Sequence, residues 1–221
     1  MRTMQLAVGV ALAFAAASSA GGQSIGVKGG WVHSTVTGRI DSGASGLDSF
    51  GGGAFLEVPV SPVFALQAEV LRVPKGAIAE SGGVRTSFTV NYMEVPVLAK
   101  ATIALHDSSV KPNVFAGPYL AFKGSCKMES SGIGAGSALS CGDANSQLND
   151  TDAGLAFGGG IAFPLTERVG GLVEARYDLG LKRIDQSTAG SDVKNRSFML
   201  FAGVSIPVGP RRGGTTLRTT R

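Results

Sequence analysis

From Tyr92 to Ala101 the chain alternates strictly. Met93, Val95, Val97, Ala99 and Ala101 share one face of an extended segment, and Tyr92, Glu94, Pro96, Leu98 and Lys100 share the other. The first face is uniformly apolar. The second mixes a carboxylate, an ammonium and a phenol with bulky apolar groups. A helix is excluded, because Pro96 in mid-segment would remove a backbone donor and clash with the preceding turn, at about 3 kcal/mol. The same two-sided period recurs in eight segments bounded by Gly, Pro, Asn, Asp and Ser clusters: residues 25–36, 50–60, 63–73, 87–105, 110–123, 154–165, 169–181 and 198–208. In the first of them Ile25, Val27 and Trp31 oppose Gly26, Lys28 and Gly30; in the last Phe198, Leu200, Ala202, Val204 and Ile206 oppose Met199, Gly203 and Ser205.

The connections alternate too. Short links at residues 61–62, 106–109 and 166–168 take turns with long Gly/Ser-rich links at 37–49, 74–85, 124–152 and 182–197. An even number of strands with short turns on one rim and long loops on the other predicts an all-β fold, an eight-stranded antiparallel up-and-down transmembrane β-barrel. Both termini and the short turns then belong on the periplasmic rim, and the long loops outside.

Charge assigns the faces. The mixed face carries Lys28, Glu57, Glu69, Glu94, Lys100, Lys123, Glu174, Arg176 and Asp178. Lipid would reject a Lys or Arg at mid-depth by about 2–4 kcal/mol, so this face is expected inside. The interior of an eight-stranded barrel is only wide enough for side chains to fill it. These nearly balanced charges are therefore expected to pair with one another as a structural plug. Two other readings share the period: a soluble exported β-barrel holding a small apolar ligand, with the faces inverted, and a narrow solute pore with an incomplete plug.

The ends change the compartment. Arg2, the apolar stretch 6–17 and the small residues Ser18, Ser19 and Ala20 have the layout of a secretory signal peptide over residues 1–20. The barrel is expected over residues 21–208 and a basic tail over 209–221, with Arg211, Arg212, Arg218 and Arg221 and no acid. Without Arg2 and those four, about fifteen basic groups face 16 acidic ones. The basic character belongs to the tail and is no argument for nucleic acid, which would want a basic patch on a folded face. Glycine, at 33 of 221 residues, is abundant without a collagen-like period.

Four stretches resemble the outer membrane protein beta-barrel domain family, the PorT-like small barrels akin to the OmpA and OmpX type. They are Gly26-Val27-Lys28-Gly29-Gly30, the run from Tyr92 to Lys100, Asn113-Val114-Phe115-Ala116-Gly117-Pro118-Tyr119-Leu120, and Glu174-Ala175-Arg176-Tyr177-Asp178-Leu179-Gly180-Leu181. The resemblance covers nearly the whole mature chain and implies residence in the cell outer membrane. None of its motifs is catalytic. Its partners would be outer-membrane lipid and the barrel-assembly machinery. The tail after Val208 departs from the terminal aromatic on which such barrels normally end.

Candidate chemistry is sparse. Cys126 and Cys141 flank the tip of the longest loop, and a disulfide between them would restrain it by about 3 kcal/mol; two thiols without a nearby His make a poor zinc set. Asp143, Asn145, Asn149, Asp150 and Asp152 could offer oxygen ligands to calcium, but lack the glycine and terminal glutamate of a helix-loop-helix calcium loop, and read as a solvated polar loop. His33 stands beside Ser34 toward the outer rim, while His106 falls in a periplasmic turn, so they form no pair. Asn149-Asp150-Thr151 and Asn195-Arg196-Ser197 are glycosylation sequons for which this architecture has no use. The triple glycines 51–53 and 158–160 fit no phosphate loop and read as relief of crowding in a narrow barrel. The sequence therefore predicts no catalytic, cofactor or metal residues, and an extracellular ligand, if any, at loop 124–152.

Overall fold

The computed structural model describes residues 22–37, 44–105, 108–132, 135–140, 149–182 and 194–208, with backbone alone for residues 44 and 135–140. The proposed leader, the basic tail, His106, Cys141, Asp143 and Asn145 lie outside them. Nine strands follow in chain order: β1 (Gln23–Thr37), β2 (Ala44–Pro59), β3 (Phe64–Ser81), β4 (Val84–Thr102), β5 (Lys111–Gly132), β6 (Ala135–Ser140), β7 (Thr151–Pro164), β8 (Gly170–Gly180) and β9 (Lys194–Val208). Each pairs antiparallel with its neighbour in the order β4-β3-β2-β1-β9-β8-β7-β5-β6, and an additional β4–β5 ladder closes the ring. Eight strands make the barrel. β6 stands outside the ring and pairs only with the end of β5, through Lys127↔Ser140 to Gly132↔Ala135.

Several strands run further than their sequence pattern predicts. Residues 74–85, expected as a long loop, are a hairpin in which β3 continues to Ser81 and β4 restarts at Val84. Gly82 and Gly83, at φ of 58° and 78°, make the two-residue turn, and two successive positive φ angles are what a right-twisted hairpin asks of its turn. Likewise the expected loop 124–152 is strand through Gly132 and again over Ala135–Ser140. Composition misled in both places. Small and polar residues pair as readily as apolar ones once an adjacent strand supplies the ladder, since strand preference is mostly context.

One irregularity turns a face over. Val90 pairs with Cys126 and Tyr92 with Lys123, so Asn91 alone opposes Gly124 and Ser125. This is a bulge of two residues against one. Below it Phe115, Tyr119 and Ala121 point inward on β5; beyond it Cys126 is the buried position.

The two faces match their expected solvents. On β4, Tyr92, Glu94, Leu98 and Lys100 are buried while Met93 is 57% exposed. The outward positions on β1 from Ile25 to Trp31, on β3 from Phe64 to Val70, on β4 from Met93 to Ala101 and on β9 from Phe198 to Ile206 hold no charge. Those on β2, β5, β7 and β8 are equally apolar over the same depth. Four to six outward residues per tilted strand form a band of the height that spans an outer membrane, about 25 Å. No described helix is long and apolar enough to cross a membrane.

Inside, apolar side chains fill what the charges leave. Val32, Leu71, Val73, Met199 and Phe201 form one buried cluster. Val90, Tyr92, Leu98, Phe115, Tyr119, Ala121, Cys126 and Ala156 form another, against which Phe88 and Met128 of the β4–β5 extension pack. Glycine makes the room. A Cβ at Gly158 would come within 2.8 Å of the Phe115 ring and 2.2 Å of the Ala175 carbonyl oxygen, and one at Gly154 within 2.7 Å of the Tyr119 ring.

Candidate functional site

The inward charges form a connected network that starts at the rim carrying the termini. There a vestibule of about 440 Å³ is lined by Ser24, Phe55, Glu57, Lys100 and Ser205 among others. Lys100 Nζ donates to Glu57 Oε2 at 2.8 Å and to Gln67 Oε1 at 3.3 Å. Gln67 Nε2 in turn donates to Glu69 Oε1 at 2.5 Å. These are neighbours by register, since β2 and β3 place Glu57 opposite Gln67.

Deeper in, Lys28 Nζ bridges Glu69 Oε1 at 2.8 Å and Glu174 Oε2 at 2.6 Å. Arg176 reaches three carboxylates: Glu69 Oε2 at 2.8 Å, Asp178 Oδ1 at 2.7 Å and Glu94 Oε2 at 3.6 Å. Its planar fork suits several acids at once, as a lysine would not. Glu94 Oε1 lies 2.5 Å from Lys75 Nζ, and that ammonium sits 4.8 Å from the Tyr119 ring centroid and 5.9 Å from that of Tyr92. Toward the far rim Asn195 Nδ2 donates to Asp152 Oδ2 at 2.9 Å. The side chains of Lys28, Glu69, Glu94, Arg176 and Asp178 have no solvent exposure.

Lys28, Glu57, Glu69, Glu94, Lys100, Glu174, Arg176 and Asp178 all point inward. Glu94 meets Lys75 and Arg176, and Lys100 meets Glu57 and Gln67. Lys123 is drawn to the rim, 3.0 Å from the 89% exposed Asp150. Lys75 and Asp152 were missed because both fall in stretches read as loops. The signal was present, since counting every second residue from Gln67 through Glu69, Leu71 and Val73 arrives at Lys75. Among the described residues the interior thus holds Lys28, Lys75, Lys100, Lys123 and Arg176 against Glu57, Glu69, Glu94, Asp152, Glu174 and Asp178, one acid in excess of the bases.

The other candidates separate. His33 and Ser34 lie on opposite faces, as neighbours in a strand must. His33 Nδ1 is 2.8 Å from Asp48 Oδ1 on the outside, whereas Ser34 Oγ accepts from the Gly76 amide at 3.0 Å on the inside. No nucleophile–base pair forms there. The acidic loop cluster is divided as well, with Asp150 on Lys123 and Asp152 in the interior with Asn195. Among the described residues no group of three or more His, Cys, Asp or Glu side chains is arranged to hold a metal ion. Cys126 is buried on β5; the expected pairing with Cys141 falls outside the described residues.

Neisserial surface protein A is similar in structure, with a TM-score of 0.52 at 17% identity over 83% of this chain and 97% of that one. The N-terminal β-barrel domain of Pseudomonas aeruginosa OprF has a TM-score of 0.45 at 12% identity, over 85% and 99%. Ail, the attachment invasion locus protein of Yersinia pestis, was solved in complex with the heparin analogue sucrose octasulfate; it has a TM-score of 0.42 at 18% identity, over 84% and 99%. No curated protein matches the sequence. The family model described as outer membrane protein beta-barrel domain matches residues 5–186. With its apolar band turned outward, its charges sealed inside and most of its length matched by that model, the chain belongs to the outer membrane protein beta-barrel domain family and resides in the outer membrane.

Proposed function

We propose that the protein is a closed, non-catalytic barrel that serves as a membrane-embedded platform for its exposed rim. The observation that carries this reading is the chain of ion pairs from Glu57 and Lys100 through Glu69, Lys28 and Arg176 to Glu94 and Lys75. Buried charges that find partners on four or more strands lock those strands together, and breaking one pair leaves an uncompensated charge. Such a network suits a plug. Tyr92, Tyr119 and Phe201 occupy the space beside it, leaving a solute no wet path.

The short connections and the termini lie on the periplasmic side in this reading, and the β3–β4 hairpin with the β5–β6 extension outside. That extension continues the sheet beyond the apolar band, and any extracellular ligand would meet it and residues 124–152. A Cys126–Cys141 disulfide would stiffen the far side of that segment. Delivery to the membrane would use the leader at 1–20 and the barrel-assembly machinery. Planar-bilayer recording tests the closed state: protein that inserts, shown by slower or faster gel migration unboiled than boiled, should add no stepwise conductance. Reproducible single-channel steps from such protein would overturn the plug in favour of a pore.

A further inference from the structure

The outward face changes character abruptly where β3, β4 and β5 leave the apolar band. Val70 is 50% exposed and Met93 57% exposed, and both belong to the band. Two residues further toward the hairpin end on the same strands stand Arg72 and Asn91. Arg72 Nη2 donates to Asn91 Oδ1 at 2.7 Å, and Asn91 Nδ2 donates to Ser125 Oγ at 3.0 Å. The three side chains are strung across the bulge at which Asn91 opposes Gly124 and Ser125.

This string is polarised. Asn91 accepts from the guanidinium with its oxygen and donates its amide to Ser125, so Nη2 of the exposed Arg72 is tethered while the other N–H groups of the fork stay available as donors. Among the described residues no carboxylate pairs with Arg72, whereas Arg85, further along the same hairpin, has Glu80 at 3.6 Å. Lys127, exposed on β5 next beyond Ser125 on the outward side, adds a second cation. An oriented guanidinium offering parallel donors fits a tetrahedral oxyanion, and the exposed Val70 and Met93 directly beneath it fit acyl chains.

We propose that Arg72, oriented by Asn91 and Ser125, seats the phosphate of a phosphorylated glycolipid in the outer leaflet, whose chains lie on Val70 and Met93. The assignment to that leaflet rests on the orientation given above, with the β3–β4 hairpin outside. The chemistry at Arg72 would also accept a free phosphate ion, and the test separates the two.

Full-length protein is reconstituted into phosphatidylcholine nanodiscs doped with diphosphoryl lipid A or with the same lipid stripped of its phosphates, and lipid retained is read by native mass spectrometry. The expected result is about tenfold preferential retention of the phosphorylated lipid, lost in Arg72→Gln and kept in Arg85→Gln. Equal retention of the two lipids by the unaltered protein overturns the seat, as does undiminished preference in Arg72→Gln. Displacement of the lipid by inorganic phosphate at equal concentration overturns the lipid assignment. Boiled and unboiled gel migration of each variant reports the barrel separately. Absence of the shift in the unaltered protein would count against the barrel reading itself, and an intact shift in Arg72→Gln ties any lost binding to the seat.

Discussion

Lys75 and Glu94 meet inside the barrel at 2.5 Å, although the β3–β4 ladder sets Lys75 opposite Val90. The ammonium reaches four residues onward along β4, past Tyr92, to find its carboxylate. It thereby ties the root of the β3–β4 hairpin to the floor on which Arg176 sits, since the other oxygen of Glu94 lies 3.6 Å from Arg176 Nη2.

Removing one member of that pair should cost more than removing both. Lys75→Met leaves Glu94 with the more distant Arg176 alone, and a broken buried pair is destabilising by about 3–5 kcal/mol. The Lys75→Met, Glu94→Gln double variant should recover at least half of that loss. Urea unfolding in detergent micelles, followed through the fluorescence of the single Trp31, measures all four corners of the cycle. Equal losses in single and double variants would deny the coupling.

The lipid face should show a depth profile. Val97 occupies the middle of the outward row from Met93 to Ala101 on β4, so Val97→Lys should cost about 2–4 kcal/mol of folding free energy in vesicles. Thr37→Lys, at the exposed end of β1, should cost about 0–1 kcal/mol. Reversible folding titrations of both variants into the same vesicles give the comparison, and a Val97→Lys cost no larger than that at Thr37 would contradict the assigned face.

Trp31 supplies an independent check on that face. Its indole is 41% exposed, stacks edge-on with Phe198 at 6.0 Å and donates to Asp48 Oδ1 at 3.1 Å. An aromatic ring with one polar contact is suited to the lipid–water boundary. Brominated lipid should quench its emission strongly and acrylamide weakly; the reverse order would place it in water.

Glycine substitutions should separate crowding from turn geometry. Gly158→Val drives a side chain into Phe115 and the Ala175 carbonyl and should abolish the heat-modifiable form. Gly82→Asn keeps a residue tolerant of positive φ in a turn where an added Cβ meets nothing within 4 Å, and should change stability by less than about 0.5 kcal/mol. Gel migration before and after boiling distinguishes the two.

The eight-strand period and the polarity of each face were legible from residues such as Met93, Glu94 and Val97, because a strand's two faces meet different solvents and composition records which; the lengths of the connections were not, since residues 74–85 close in the two-residue turn at Gly82 and Gly83. The interior charges from Lys28 to Asp178 were legible for the same reason, as lipid excludes them wherever the barrel places them. Pairing was not legible. That Glu94 meets Lys75 on one oxygen and Arg176, which it shares with Glu69, on the other depends on register, tilt and closure of the ring, which are properties of strands far apart in the chain. Lys75 and Asp152 were hidden because polar, small-residue stretches look like loops until a neighbouring strand hydrogen-bonds them. The bulge at Asn91, which turns Cys126 inward and orients Arg72 through Asn91, exists only where β4 and β5 must be reconciled. Local alternation settles which solvent a side chain meets; only the closed sheet settles which side chain it meets there.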